Sequence, residues 1–96
     1  MTEIQLMELA DLYKLVSDYT RVRIVVLLAK GPLSVNEIAE ALDMSQSAIS
    51  HQLRLLKAGK LVRAQRDGKQ MIYQLDDDHV KILIEVGMEH IMETYK

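Results

Sequence analysis

A chain of 96 residues with a formal net charge of −2 describes one small domain, residues 1–96. The absence of cysteine excludes disulfides, thiolate metal sites and thiol redox sensing at once. No basic segment followed by an apolar run opens the chain, and no apolar run approaches the roughly 20 residues that span a bilayer. The expectation is therefore a soluble, cytoplasmic protein with no membrane partner. A domain this short buries a modest fraction of its surface, so a second copy would help to stabilise it.

Apolar residues recur at helical spacing from Ile4 to Val16, through Leu6, Leu9, Ala10 and Tyr13. A second helix is expected after Thr20, through Val22, Ile24, Val25, Leu27 and Leu28, and Gly31-Pro32 ends it. Ser34 opens a third helix with Glu37 three residues on, the pattern of a capping box. Ile38, Ala39 and Leu42 form its inner face, and Asp43-Met44 is a tight break. A fourth helix follows from about Ser45 to Ala58, with Gly59 fitting the residue just past its end.

The period then changes. LVRAQ and QMIYQL flank RDGK, in which Asp67-Gly68 is a two-residue hairpin signal. Met71, Tyr73 and Leu75 alternate with Gln70, Ile72 and Gln74. A fifth helix begins near three aspartates, where acidic residues suit the positive end of the helix dipole. The fold predicted is mainly α with a small β-hairpin: a winged helix-turn-helix. Its reading unit is expected at residues 34–58, its wing at 61–75 and its last helix at 77–95.

Charge is unevenly placed. Between Ser45 and Gln74 stand Arg54, Lys57, Lys60, Arg63, Arg66 and Lys69 against Asp67 alone, a local balance of +5 that leaves −7 elsewhere. A basic block in an acidic chain steers an anionic partner to one face. On a helical wheel of the fourth helix, Ile49, Leu53 and Leu56 share one side. Ser47, Ser50, His51 and Arg54 share the other, with Gln46 nearby. That face has no acid, and its Ser, Gln and Arg side chains can reach base edges or phosphates of double-stranded DNA. The second helix of a helix-turn-helix enters the major groove, and Arg66 and Lys69 at the hairpin tip are placed for backbone phosphates. A solvated polar face would be the bland alternative, but it would not explain the order of elements and the charge asymmetry together.

The last stretch, DDDHVKILIEVGMEHIME, carries polar groups at both ends and an apolar middle. His79 and His90 are eleven residues apart, which returns them to within about 20° on the helix. Glu93 joins His90 three residues on, and Asp77 can turn onto the same ion as His79. The two ends are separated by about 16 Å of helical rise, whereas ligands of one Zn(II) lie within about 4 Å of one another. One helix cannot close this site, but an antiparallel copy can. Asp77 and His79 of one subunit then face His90 and Glu93 of the other, and two-fold symmetry makes two intersubunit sites per dimer. Two nitrogens and two oxygens suit tetrahedral Zn(II), with Co(II) as a close mimic and Ni(II) less comfortable. Val80, Leu83, Ile84, Gly87, Met88 and Ile91 fall at dimerising spacing. Gly87 costs about 1 kcal/mol in a helix interior, which a close helix crossing would explain. An amphipathic helix with two stray histidines is the competing reading.

At this point the residues carry a family. SQSAISHQLRLLKAGKLV followed by RDGKQMIYQL resembles the recognition helix and wing of the ArsR/SmtB metal-responsive repressors, and the likeness covers nearly the whole chain. The tail DDDH…HIME resembles the zinc-sensing subgroup, which binds metal between the C-terminal helices of a dimer. The resemblance implies metal ligation by Asp77, His79, His90 and Glu93, and DNA contact from Gln46, Ser47, Ser50 and His51. It also implies a homodimer, formed through the first and last helices, on an inverted-repeat operator. Zn(II) would lower DNA affinity and derepress metal efflux or sequestration genes. The other ring nitrogen of His90 is expected to donate to a carbonyl near Lys60. Many members carry a cysteine-rich site on the third helix; SVNEIAEALDM has none, which argues against thiolate sensing of arsenic, lead or cadmium. Asp76 and Asp78 rival Asp77.

Three other classes make different predictions. A winged-helix regulator with a non-metal signal would bind its operator and ignore zinc. A metal storage or delivery protein would not need the basic head. A zinc hydrolase, with a small-molecule substrate, is disfavoured because four protein ligands leave no position for water. No nucleophile with a partnered base is apparent, so no catalytic residues are assigned.

Overall fold

The computed structural model describes residues 1–95. All five helices in this range start on a side-chain cap. Thr2 caps α1 (Glu3–Val16) in a reciprocal box with Gln5, and Asp18 caps α2 (Tyr19–Leu28). The second helix thus starts earlier than the apolar pattern suggests, because the Asp18 carboxylate accepts the Arg21 N–H at 3.2 Å. Ser34 and Glu37 form the expected capping box on α3 (Val35–Leu42). Ser45 caps α4 (Gln46–Ala58), and Asp77 caps α5 (Asp78–Thr94). Between α3 and α4, Asp43 takes the left-handed conformation at φ 54°, which aspartate tolerates better than most residues. The short connection sets α3 and α4 as a helix-turn-helix.

Gly59 follows the last residue of α4, as expected, but the left-handed position comes one residue later. Gly59 is at φ −85°, while Lys60 holds the left-handed position at φ 61°. Lys60 N–H donates to the Lys57 carbonyl at 3.0 Å and Leu61 N–H to the Leu56 carbonyl at 2.9 Å, the two bonds of a Schellman ending. A Cβ at Gly59 would meet the terminal methyl of Leu15 on α1, so that side chain would have to shift.

The wing is β2 (Val62–Asp67) paired with β3 (Gln70–Leu75), with Asp67 opposite Gln70. The two loop residues are therefore Gly68 and Lys69, one position later than the Asp67-Gly68 signal suggests. Gly68 takes φ 64° at the first loop position, as in a type II′ turn. A further strand, β1 (Leu33–Ser34), was not expected. It pairs antiparallel with β3, giving the order β1-β3-β2.

The core is one cluster drawn mainly from α2, α3, α4 and the wing root. Ile24, Val25, Ile38, Ile49, Leu53, Leu56 and Leu61 are fully buried. The Ile49, Leu53 and Leu56 face of α4 is thus the inner one, as its periodicity predicts. α1 contributes no buried residue and α5 only Ile84. No helix is long and apolar enough to cross a membrane.

Candidate nucleic-acid interface and metal centre

With its apolar side closed onto the core, α4 turns Gln46, Ser47, His51 and Arg54 to the exterior, and Ser50 is half-buried beside them. Arg66 and Lys69 are exposed on the wing. Three hydrogen bonds that the sequence does not reveal brace the reading helix directly or through Arg21. Gln46 Nε2 donates to Asn36 Oδ1 on α3 at 2.9 Å. Arg21 Nε donates to the Leu15 carbonyl at 2.6 Å, and its Nη1 to Gln52 Oε1 on α4 at 3.4 Å. Arg21 thereby ties the last turn of α1 to the middle of α4. These pairs lie 10, 6 and 31 residues apart, and no local periodicity reports them.

At the start of α5, Asp77 Oδ1 accepts the Val80 N–H at 3.0 Å, and Oδ2 lies 3.7 Å from His79 Nδ1. The Val80 N–H, helped by the neighbouring imidazole, holds the Asp77 carboxyl below the usual 3.8. Among the three aspartates, Asp77 is the one paired with His79. Asp78 lines a hollow with Asp77, Lys81 and Arg63, and Asp76 lines another with Asp77 and His79. His79 is 95% exposed, so almost no neighbour in its own chain covers the ring. His90 and Glu93, at the far end of α5, are exposed too. Among the described residues, no three His, Asp or Glu side chains gather closely enough within one chain to hold a metal ion. The donor set of two imidazoles and two carboxylates fits a tetrahedral zinc only when both helix ends are supplied.

Between the two ends lies an open apolar groove of about 490 Å³ formed by α1, α2 and α5, lined by Tyr13, Val16, Val26, Leu83, Met88 and Ile91 among others. Gly87 borders it, and a Cβ at Gly87 would meet nothing within 4 Å in its own chain. A second hollow runs past Asp77 and His79 to Gly59 and Lys60, joining the start of α5 to the end of α4.

A helix-turn-helix with a basic wing and an acid-free reading face defines a DNA-binding transcriptional regulator, not an enzyme. Residues 18–64 match the family model described as "Bacterial regulatory protein, arsR family". A transcriptional repressor SmtB homolog of Synechocystis sp. is 36% identical over 90 residues, covering 94% of this chain and 68% of that protein. A cadmium resistance regulatory protein CadC homolog of Staphylococcus aureus is 40% identical, covering 92% of this chain and 74% of its own length. The homodimeric winged helix-turn-helix domain of Mb0332 from Mycobacterium bovis superposes with a TM-score of 0.90 at 28% identity, over 99% of this chain and 91% of that one. The chain belongs to the ArsR/SmtB family of winged helix-turn-helix regulators.

Proposed function

We propose that the protein is a zinc-responsive repressor that works as a homodimer through α1 and α5. The metal-free dimer holds an inverted-repeat operator with Gln46, Ser47, Ser50, His51 and Arg54, while Arg66 and Lys69 grip phosphates. Asp77 and His79 of one subunit meet the partner's His90 and Glu93 at each end of the α5 pair, giving two sites. Bound there, zinc would supply a cross-link between the two helices, and Co(II) would mimic it. The genes released would serve metal efflux or sequestration.

The observation that carries this reading is the pairing of Asp77 with His79 on an exposed helix start. It stands at one end of an unpaired apolar groove, with His90 and Glu93 at the other. The name of one relative, a cadmium resistance regulatory protein homolog of Staphylococcus aureus, supports a response to a metal ion, though not the choice of zinc. The route to DNA is taken from the family resemblance, and the hollow lined by both His79 and Lys60 is consistent with it. The ring nitrogen of the partner's His90 that faces away from the site can donate to a carbonyl of that loop, which directly follows the reading helix. DNA must then weaken zinc binding by the factor by which zinc weakens DNA binding.

Fluorescence anisotropy on promoter DNA, titrated with each metal, tests the proposal. Wild type should leave the DNA when zinc is added, whereas His79→Ala should stay bound. His90→Gln should hold zinc more weakly and fail to release DNA; release by this variant would remove the His90 route. A promoter complex indifferent to every metal would leave a regulator with a non-metal signal. Tight zinc binding without sequence-selective DNA binding would indicate storage or delivery instead.

A further inference from the structure

The bond between Asn36 and Gln46 crosses the turn of the helix-turn-helix and ends on the first residue of α4. The N-terminal residues of a reading helix are those that approach base edges. Gln46 is exposed, and an unrestrained glutamine side chain there would sample several rotamers and both amide orientations. With Nε2 donating to Asn36 Oδ1 at 2.9 Å, the amide is set one way round. Its Oε1 and its second N–H remain for a ligand. One acceptor and one donor on a single amide match the N6 amino group and N7 of adenine, a pairing distinctive to A·T in the major groove.

We infer that Asn36 is a specificity-determining residue that fixes the Gln46 amide to read an adenine at one position of each operator half-site. Asn36 need not touch DNA: it acts through Gln46. The inference rests on the proposed placement of α4 in the major groove. It adds a base to that reading and a residue outside the face first assigned to DNA.

Selection from a randomised duplex pool, followed by sequencing, tests it with the full-length protein. Wild type should enrich an adenine at a fixed position of each half-site. Gln46→Ala should lose that preference alone. Asn36→Ala should reduce it roughly tenfold, the scale of one good bidentate contact, while other positions stay as they are. Asn36→Asp keeps an acceptor oxygen and should preserve the adenine preference even if added charge weakens binding overall. Both Asn36 variants are at an exposed position, and circular dichroism verifies their folding. Retention of the full preference in Asn36→Ala, with a uniform loss of affinity, would make Asn36 a backbone contact and overturn the inference. Adenine enrichment unaffected by Gln46→Ala would overturn it too. If wild type enriches no sequence at all, the DNA reading of α4 itself fails along with it.

Discussion

The reading head and the α1–α5 layer are built to different degrees of completion. In the head, α3, α4 and the wing root bury Ile38, Ile49, Leu53, Leu56 and Leu61 entirely. In the layer, Ile4, Leu6, Met7, Ile82, Val86 and Ile91 are all more than half exposed. The head therefore closes its own core, while the layer displays apolar surface that only a further surface can cover. Exposed apolar residues in such number on α1 and α5 suit an interaction face. The part that would read DNA closes its core within one chain, and the part that would receive the signal leaves apolar surface open.

The contrast predicts opposite consequences for mutations of similar chemistry. Leu53→Ala should remove about 2–5 kcal/mol of folding stability, a large share of the roughly 5–15 kcal/mol of a small domain. Chemical denaturation followed by circular dichroism reads this, and a loss below about 1 kcal/mol would show that the head core is not the stabilising unit. Met88→Glu places a charge in the α5 groove, where burial against a partner would be costly. Its monomer should keep native circular dichroism, while sedimentation should show the dimer dissociated and DNA affinity should fall at least about tenfold. A variant that remains dimeric would put the interface elsewhere.

Gly87→Ala sharpens the same comparison. Within one chain there is room for the methyl group, so helix propensity alone would stabilise the monomer by about 1 kcal/mol. A close crossing of α5 with its copy would instead weaken dimerisation. Thermal unfolding measured across a range of protein concentrations separates the two signs.

The smallest effect concerns Asp77. Its folded pKa is depressed, chiefly by the Val80 N–H, so its capping contribution is complete above the usual 3.8 and is lost as pH falls through the lower folded value. In metal-free protein, the Asp77 side-chain carboxyl carbon resonance should titrate with its midpoint below the usual 3.8. A midpoint at or above that value would remove the Val80 cap as the cause.

Much of this was legible in the chain because it is local. Ser34 with Glu37 marks the start of α3, the Ile49–Leu53–Leu56 spacing marks the inner face of α4, and alternation marks the wing. The phase of Asp77, His79, His90 and Glu93 was legible for the same reason. What stayed hidden depends on chain segments that meet only after folding. Strand β1 is two residues long and has no period to read. The contact of Gly59 with Leu15 of α1 and the left-handed position of Lys60 are likewise not readable from local pattern. Arg21 and Asn36 are ordinary polar residues in sequence, and their partners on α4 come from tertiary geometry.

Ser34 lies in β1 opposite Ile72 of β3 and also caps α3 with its side chain. One buried residue therefore belongs to both the wing root and the reading unit. Such a shared residue ties their opening together: the wing root cannot come away from the sheet without loosening the first turn of α3. Amide hydrogen exchange should accordingly find the central residues of β3 and the first helical turns of α3 opening with one common free energy, distinct from that of α1. The regulator would then present its DNA-facing parts as one cooperative unit, carried by a layer that can fluctuate independently.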